Sequence, residues 1–257
     1  TLATGGCIFC SEGGSGEFTE NASLSVSEQI RLGKKQTSQK YHGEHYIAYF
    51  QAFTNTYAPI ERLRTLYEEA MQAPEIVALS IGTRPDCISP LVLSLLRELN
   101  KRKPVFIEMG LQTSHDTTAS FLNRAYPTDT FTSACYALTN AGIRVSAHII
   151  LGLPGETLDM ELETIRYLNT LPINGIKISM LYVLKNTALA SGYDCINVLS
   201  DTYITDEMWN AFHKCGVQIA VTRCIGMEHM NQAYAHKLGI QIFNISYSPA
   251  SVADYAI

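Results

Sequence analysis

Two cysteines, Cys7 and Cys10, lie two residues apart in the glycine-rich stretch "GGCIFCSEGGSGEF". Cys-x-x-Cys pairs occur in zinc sites, in redox pairs and in iron–sulfur sites, so the spacing alone leaves three chemistries open. The chain contains no second Cys-x-x-Cys pair that would complete a zinc ribbon. The flanking glycines let backbone amides approach a bulky anionic ligand, which favours an iron–sulfur group.

Polar side chains also gather where predicted strands end. They are Gln51, Thr54, Thr83, Arg84, Glu108, Gln112, His148 and Lys177. In a parallel barrel this edge carries the chemistry. A buried Glu108 without a partner would be costly, which favours a functional role. His148 stays open between a satisfied core histidine and a site residue.

The elements that position these residues form a regular series between His45 and Leu184. We count five apolar strands and four intervening helices of about a dozen residues, as in "HYIAYFQAF", "EIVALSIGTRP", "PVFIEMGLQT", "IRVSAHIILGLPGE" and "NGIKISMLYVL". Strands that are apolar throughout predict a parallel sheet with both faces covered. A helix from Val26 to Lys40 precedes the series.

A second and tighter series begins near Tyr193. Strands "CINVLS", "VQIAVTRC" and "IQIFNI" alternate with a helix that Thr205 caps and with a helix that Gly239 ends, and a last helix begins in "SPASVADYAI". This rhythm predicts a flavodoxin-like α/β segment. It contains no G-x-G-x-x-G after a strand, so we expect no dinucleotide site.

Composition narrows the class of protein. The formal net charge is −5. The chain therefore lacks the excess of basic residues that would indicate a nucleic-acid surface. No apolar run approaches the roughly 20 residues that span a bilayer, and we expect no membrane association. Seven cysteines without a disulfide-scaffold spacing, and the lack of a secretory signal, predict a reducing, cytoplasmic location. We expect Cys87 and Cys135 to be small buried groups.

Six ordered blocks carry a family resemblance over residues 1–190. They are "GGCIFCSEGGSGEF", "YIAYFQAFTNTYAP", "LSIGTRPDC", "EMGLQTSHDTTASFLNRAY", "HIILGLPGET" and "GIKISMLYVLKNTALA". Together they resemble radical S-adenosylmethionine proteins related to the catalytic subunit of Elongator, with bacterial members implicated in tRNA wobble-uridine modification. The resemblance implies a partial (β/α)6 TIM-like barrel. It also implies a [4Fe–4S] cluster that cleaves S-adenosylmethionine to a 5′-deoxyadenosyl radical, and tRNA as a partner.

The resemblance also assigns residues. Cys7 and Cys10 match the last two ligands of the cluster loop, and Phe9 matches the aromatic residue beside the adenine. The cofactor-binding positions that would line the methionine, ribose or substrate are Thr83, Arg84, Glu108, Gln112 and His148. Gly152 and Gly155 would let the backbone approach the adenine.

Residues 191–257 resemble a different family, the D-2-hydroxyacid dehydrogenases of the D-lactate type, in "TRCIGMEHM" and "YSPASVADYA". By that resemblance Ile225 and Gly226 would offer backbone amides to a substrate carboxylate, and Tyr247 would face the substrate. This segment would be part of a substrate domain of an NAD-dependent enzyme, without the NAD site.

The two resemblances meet with no linker, and we interpret the chain as a chimera rather than an evolved fusion. By comparison with the radical family, we expect the third cluster cysteine and the first barrel strand to precede Thr1, and therefore an inactive enzyme fragment. Two alternatives stay open. In the first, the chain is a fragment of a dehydrogenase substrate domain. In the second, it is a non-enzymatic α/β protein with a structural metal at Cys7 and Cys10.

Overall fold

The structure, a computed structural model, describes residues 6–10, 20–38, 42–181, 183, 187–190, 195–198, 203–214, 216–222 and 227–244. The chain divides into two compact units, Thr1–Leu181 and Tyr182–Ile257. Each unit contains one parallel sheet. None of the described helices is long and apolar enough to cross a membrane.

The first unit is built on a five-stranded sheet in which neighbouring strands follow chain order. Its strands are β1 (Tyr46–Phe50), β2 (Ile76–Thr83), β3 (Val105–Gln112), β4 (Arg144–Leu151) and β5 (Gly175–Met180). Every neighbouring pair is parallel. The five predicted strands and their parallel arrangement are confirmed.

Six helices accompany this sheet. They are α1 (Val26–Thr37), α2 (Ile60–Gln72), α3 (Pro90–Asn100), α4 (Asp116–Phe121), α5 (Thr128–Asn140) and α6 (Leu158–Leu168), with a 3₁₀ turn at Pro85–Cys87. Local sequence explains where they start, because Ser25, Ser89 and Thr157 each accept a hydrogen bond from a first-turn amide. Helix α1 is described to Thr37, and the predicted end at Lys40 lies outside the described residues.

The two faces of this sheet differ, which corrects the prediction that both would be covered. Strand β3 alternates strictly between buried and partly exposed residues. Ile107 and Met109 pack into the apolar core beneath helices α2, α3 and α5. Glu108 and Gln112 point the other way, because successive side chains of a strand face opposite sides of the sheet. The helix-covered face is therefore the core, and the opposite face is polar and accessible.

The sheet is curled around its polar face. Strands β1 and β5 are its two edges, and in a flat sheet they would be about 19 Å apart at the usual strand spacing. Instead the Lys177 ammonium on β5 lies 3.1 Å from the Tyr49 hydroxyl on β1. This curl makes the polar face concave and gives the partial TIM-like barrel that the sequence predicts.

The second unit contains β6 (Cys195–Val198), α7 (Asp206–Lys214), β7 (Ile219–Thr222), α8 (Gln232–Lys237) and β8 (Gln241–Asn244), with a 3₁₀ turn at Ala188–Ala190. Its three strands are parallel and adjacent in chain order, which confirms the predicted α/β segment. Thr205 accepts from the Met208 amide as the predicted cap, and Gly239 follows α8 at a φ of 80°. Trp209 is fully buried in the small core. The predicted helix at 248–257 lies outside the described residues.

Candidate functional site

The cysteine loop, residues Gly6–Cys10, is attached to the C-terminal end of α4. The Ile8 amide donates to the carbonyl of Leu122 at 3.0 Å, and the Asn123 side-chain amide donates to the carbonyl of Gly6 at 2.7 Å. Ile8 and Phe9 pack against an apolar cluster of Leu122, Ile150 and Leu153, which lies where β4 ends. The fold therefore brings the loop to the carboxyl ends of the strands, where the sequence predicts it.

The two thiols of this loop interact directly. Cys10 donates its amide to the carbonyl of Cys7 at 3.0 Å, which forms a tight turn. The thiol–thiol hydrogen bond raises the pKa of Cys7, as does burial, and the same hydrogen bond lowers the pKa of Cys10. The positive charges of Arg84 and Arg124 counteract the rise at Cys7. Two converging sulfur ligands in a positive environment suit an anionic metal–sulfur group.

A group that we call the rim cluster (Arg84, Gln112, Arg124 and Tyr126) lies at the same end of the sheet. Both guanidinium groups stack on the Tyr126 ring, with centroid distances of 5.0 Å for Arg84 and 4.9 Å for Arg124. The Tyr126 hydroxyl donates to the carbonyl of Gly110 at 2.8 Å and contacts Gln112 Oε1 at 3.3 Å. The rim cluster therefore combines two cations with an amide at the ends of β2 and β3.

Arg124 is almost fully buried, with 1% of its side chain exposed. Its Nη1 donates to the carbonyls of Leu111 and Thr113, both at 2.7 Å, and its Nη2 pairs with Asp116 at 2.8 Å. Burial lowers the pKa of Arg124, and the charge of Asp116 opposes that effect. These contacts leave Arg124 a fixed positive charge below the cysteine loop.

Gln112 has an unusual backbone conformation, with a φ of 62°. Such a conformation costs a residue with a side chain on the order of 1–2 kcal/mol. Its amide also occupies the space that a side chain at position 110 would need, since a Cβ on Gly110 would lie 2.6 Å from Gln112 Nε2. Strain of this kind concentrates at functional sites.

A second polar group, the interior cluster, lies deeper on the concave face and consists of Tyr49, Glu108 and Lys177. The Tyr49 hydroxyl donates to Glu108 Oε2 at 2.5 Å, and the Lys177 ammonium donates to the same oxygen at 2.9 Å. Glu108 is four residues before the end of β3, so it lies within the strand rather than at its end. The structure thus supplies the partner that a buried Glu108 needs.

His148 lies beside the interior cluster. Its Nε2 is 2.9 Å from the Ser179 hydroxyl on the neighbouring strand. Burial lowers the pKa of His148, and the positive charge of Lys177 lowers it further. His148 is therefore neutral near pH 7, and it faces the concave side rather than the apolar core.

The other predicted positions have different surroundings. Thr83 lies on the buried side, where its hydroxyl is 2.6 Å from that of Thr56, and it does not join the concave face. Gly152 and Gly155 have φ values of 77° and 83° in the loop after β4, and the Gly152 amide donates to Glu161 at 2.7 Å. Ile225, Gly226 and Tyr247 lie outside the described residues.

Sequence reasoning assigned no site role to Tyr49, Arg124 or Tyr126, and it placed Lys177 among the polar residues at the strand ends without a partner. A lysine inside the apolar strand "GIKISM" is a usable signal for Lys177, because such a charge needs a partner. No comparable signal marks Arg124, which lies in a short loop. Cys87 and Cys135 are both buried, as expected.

The residues present fit part of a cluster site. Among the described ranges, no three His, Cys, Asp or Glu side chains converge as metal ligands. His42 and His45, which are exposed and have two residues between them, form no three-ligand metal group with another described side chain. Cys7 and Cys10 supply two thiols, and the positive charges of Arg84 and Arg124 act on Cys7.

Comparison with known families assigns the first unit. Residues 3–168 match the radical SAM superfamily. The chain belongs to this superfamily. Residues 163–256 match the catalytic domain of D-isomer specific 2-hydroxyacid dehydrogenases, so both sequence resemblances are confirmed.

Curated relatives match the same two parts of the chain. YtqA of Bacillus subtilis is 43% identical over 194 residues, which are 76% of this chain and 60% of YtqA. The D-specific alpha-keto acid dehydrogenase of Enterococcus faecalis is 39% identical over 72 residues, 28% of this chain and 22% of that enzyme. A tRNA uridine(34) acetyltransferase of Methanocaldococcus infernus is 27% identical over 117 residues, 44% of this chain and 21% of that protein. The chain thus spans about 60% of YtqA and far less of the other two.

A solved structure supports the fold. The archaeal Elp3 of Methanocaldococcus infernus superposes with a TM-score of 0.58 at 16% identity, over 91% of this chain and 59% of that one. At this identity the similarity shows that the two proteins share a fold.

Proposed function

We propose that the first unit binds a [4Fe–4S] cluster and S-adenosylmethionine as radical SAM enzymes do, and that with Cys7 and Cys10 as its cysteine ligands it does not turn over. The observation that carries this proposal is the attachment of the Cys7–Cys10 turn to the carboxyl ends of the strands, beside two arginines that stack on Tyr126. When bound, the cluster supplies the electron that converts S-adenosylmethionine to a 5′-deoxyadenosyl radical. Cys7 and Cys10 would hold it.

The chain's own residues would bind and orient the cofactor. Arg84 and Gln112 offer donors for the carboxylate and hydroxyl groups of S-adenosylmethionine. Phe9 offers an aromatic face for the adenine, and the left-handed turns at Gly152 and Gly155 allow the backbone to approach it. Thr83 supports this edge indirectly through Thr56, and its role stays a proposal.

Glu108 and His148 would line the deeper, substrate-facing part of the concave face. Their contacts to Lys177 and Ser179 hold both side chains in one orientation. Side chains that are held in place before the substrate binds lose little entropy on binding, which favours affinity.

Anaerobic reconstitution with iron and sulfide tests the cluster assignment. We expect protein-bound iron and sulfide with charge-transfer absorbance in the wild type, and loss of both in Cys7→Ala and Cys10→Ala. Cys87→Ala and Cys135→Ala are matched controls, because both thiols are buried away from the loop. Equal iron content in all four variants would refute the assignment. Release of 5′-deoxyadenosine on reduction tests the chemistry separately. We expect none, because two cysteines leave the cluster one protein ligand short, and release would overturn that expectation.

A tRNA is the substrate that we propose, with wobble-uridine modification as the reaction. The similarity to a tRNA uridine(34) acetyltransferase supports it. Binding of unfractionated tRNA in a gel-shift assay, against double-stranded DNA of equal length, is the test. Equal retardation of the two would indicate charge attraction alone. A cytoplasmic location fits this substrate.

A second candidate function belongs to residues 191–257, which we propose as a separate segment of a D-2-hydroxyacid dehydrogenase substrate domain joined in a chimeric chain. The match of residues 163–256 to that catalytic domain favours it. Ile225, Gly226 and Tyr247 would then bind a 2-keto acid. We expect no oxidation of NADH with pyruvate, because no dinucleotide motif is present in the sequence. Turnover in that assay would overturn this expectation.

A further inference from the structure

The interior cluster occupies a layer that is normally apolar. In parallel barrels, alternate strands contribute the side chains of one interior layer, and bulky branched residues dominate it. Here alternate strands β1, β3 and β5 contribute Tyr49, Glu108 and Lys177. Tyr49 is 42% exposed, and so is the Lys177 side chain. This layer is therefore the wall of an open cleft and not a packed plug.

The hydrogen bonds inside the cluster leave two groups available. Both Tyr49 and Lys177 donate to Glu108 Oε2, and no described residue donates to Glu108 Oε1. The Lys177 ammonium has three donors. Within the described part of the chain it uses two of them, on Glu108 and on the Tyr49 oxygen. One anionic acceptor and one cationic donor thus lie side by side.

The cluster and its surroundings have no net charge. The charges of Glu108 and Lys177 cancel at 2.9 Å. Burial and the Glu108 carboxylate raise the pKa of Tyr49, so its phenol is neutral, and burial keeps His148 neutral. A ligand acid would be attracted by Lys177 and repelled by Glu108, and a ligand amine the reverse, so the pair as a whole favours neither ion. A neutral group with an N–H next to a C=O satisfies both charges.

We propose that the interior cluster recognises an uncharged amide or cyclic imide group of the substrate. Glu108 Oε1 accepts the ligand N–H, and the Lys177 ammonium donates to the ligand carbonyl oxygen. Tyr49 is a positioning residue that holds the Glu108 carboxylate through Oε2 and leaves Oε1 available. This inference deepens the proposed function and rests on it only in taking the concave face as the substrate cleft.

A purely structural role for the cluster makes a different prediction. An ion pair that only joins the two edges of the sheet would affect stability and would show no preference among ligands. Selectivity among small probes of one size and different charge therefore separates the two roles.

The test measures dissociation constants of four probes for the full chain by ligand-observed NMR. The probes are glutarimide, N-methylglutarimide, glutarate and piperidine. We expect glutarimide to bind most tightly, and N-methylglutarimide to bind about tenfold more weakly because it lacks the N–H that a charged acceptor binds. Equal binding of the two imides, or tighter binding of glutarate or piperidine, would overturn the proposal.

Variants then change the charge of the cluster. In Glu108→Gln the cluster becomes cationic, so glutarimide should bind about tenfold more weakly and glutarate should bind more tightly. In Lys177→Gln it becomes anionic, and piperidine should gain instead. Glu98→Gln, which breaks the exposed pair with Arg64, is the matched control and should change nothing. Parallel weakening of all four probes in both cluster variants would indicate a structural role.

A conservative variant tests the positioning role. Tyr49→Phe keeps both charges and removes the hydroxyl, so glutarimide binding should weaken about threefold while the order of the four probes is kept, because the Glu108 carboxylate loses one of the two donors that hold its Oε2. Unchanged binding would refute the role of Tyr49. These measurements need no iron, so their failure would leave the reconstitution result intact, and a failed reconstitution would leave them interpretable.

Discussion

The two units of this chain use polar side chains in different ways. In the first unit, Tyr49, Glu108 and Lys177 meet on the concave face of a sheet and remain partly open to solvent. In the second unit, described polar side chains cap helices or join them, as where Asn210 on α7 donates to the Tyr234 hydroxyl on α8 at 2.9 Å. A sheet that curls can gather side chains from several strands around one cleft. In a contact between two helices, the two polar side chains use their hydrogen-bonding groups on each other. Among the residues that the structure describes, the groups that converge on a common cleft therefore lie in the first unit.

The cores of the two units differ as well. The first unit has a large apolar core formed by side chains of strands β1–β4 and of the helices. Leu79, Ile107 and Phe131 are among its residues. The second unit's described core is small and centres on Trp209. Because small cores leave little stability in reserve, one large side chain should matter more in the second unit.

Trp209→Ala should have the largest effect on stability. Removing a fully buried tryptophan costs about 3–5 kcal/mol through lost burial and the cavity that remains. Hydrogen exchange of the β7 amides is the measurement, and they should lose most of their protection. If the β3 amides lose protection equally, the two units unfold together and the comparison breaks.

Trp209→Phe is the control for that change. Among the described residues, Trp209 Nε1 is buried without a hydrogen-bond partner. The change to phenylalanine therefore removes no hydrogen bond. The loss of stability should be less than half of that in Trp209→Ala.

Arg124→Ala should have the second largest effect, now in the first unit. It takes the Arg124 donor from the carbonyl of Thr113, leaves the carbonyl of Leu111 with only the Thr113 amide as donor, and removes the pair with Asp116. Breaking a buried ion pair costs about 3–5 kcal/mol, and here the exposure of Asp116 places the loss near the lower limit. Urea unfolding followed by circular dichroism measures it. Arg64→Ala, which breaks an exposed pair with Glu98, should cost less than about 1 kcal/mol.

Gln112→Gly should stabilise the first unit by about 1 kcal/mol, because glycine adopts a positive φ without strain. It should also weaken S-adenosylmethionine binding by the reconstituted protein, measured by equilibrium dialysis. Ala125→Gly, at a φ of 66°, is the matched control and should give the stability gain alone. Full retention of cofactor affinity in Gln112→Gly would show that its strain serves no binding role.

His148 should give the smallest effect, a pH dependence of stability. Its pKa in the folded protein is lowered by burial and by Lys177. The unfolded chain therefore binds more protons at mildly acidic pH, and stability should fall as pH drops below the unfolded value of about 6.5. Denaturant titrations at pH 7.5 and 5.5 should show a smaller loss in His148→Gln. An equal loss in both would assign the dependence to other groups.

Local signals in the sequence were sufficient for the order of elements. The apolar strands predict the order of β1 to β5, and the structure has these strands in the same order. Strand β1 ends at Phe50 rather than at the predicted Phe53, because Asn55 binds the carbonyls of Phe50 and Ala52 and turns the chain. That side-chain contact is not visible in a hydrophobicity pattern.

The sequence by itself determined the Cys7–Cys10 pair, the parallel order of the strands and the position of Glu108 on an apolar strand. Only the tertiary structure decided which groups share a site. Glu108 meets Tyr49 across 59 residues and Lys177 across 69 residues of chain. Such meetings depend on how twist and register add up over five strands, which no local pattern encodes. The curl of the sheet therefore turns three separate polar residues into one charge-balanced cluster.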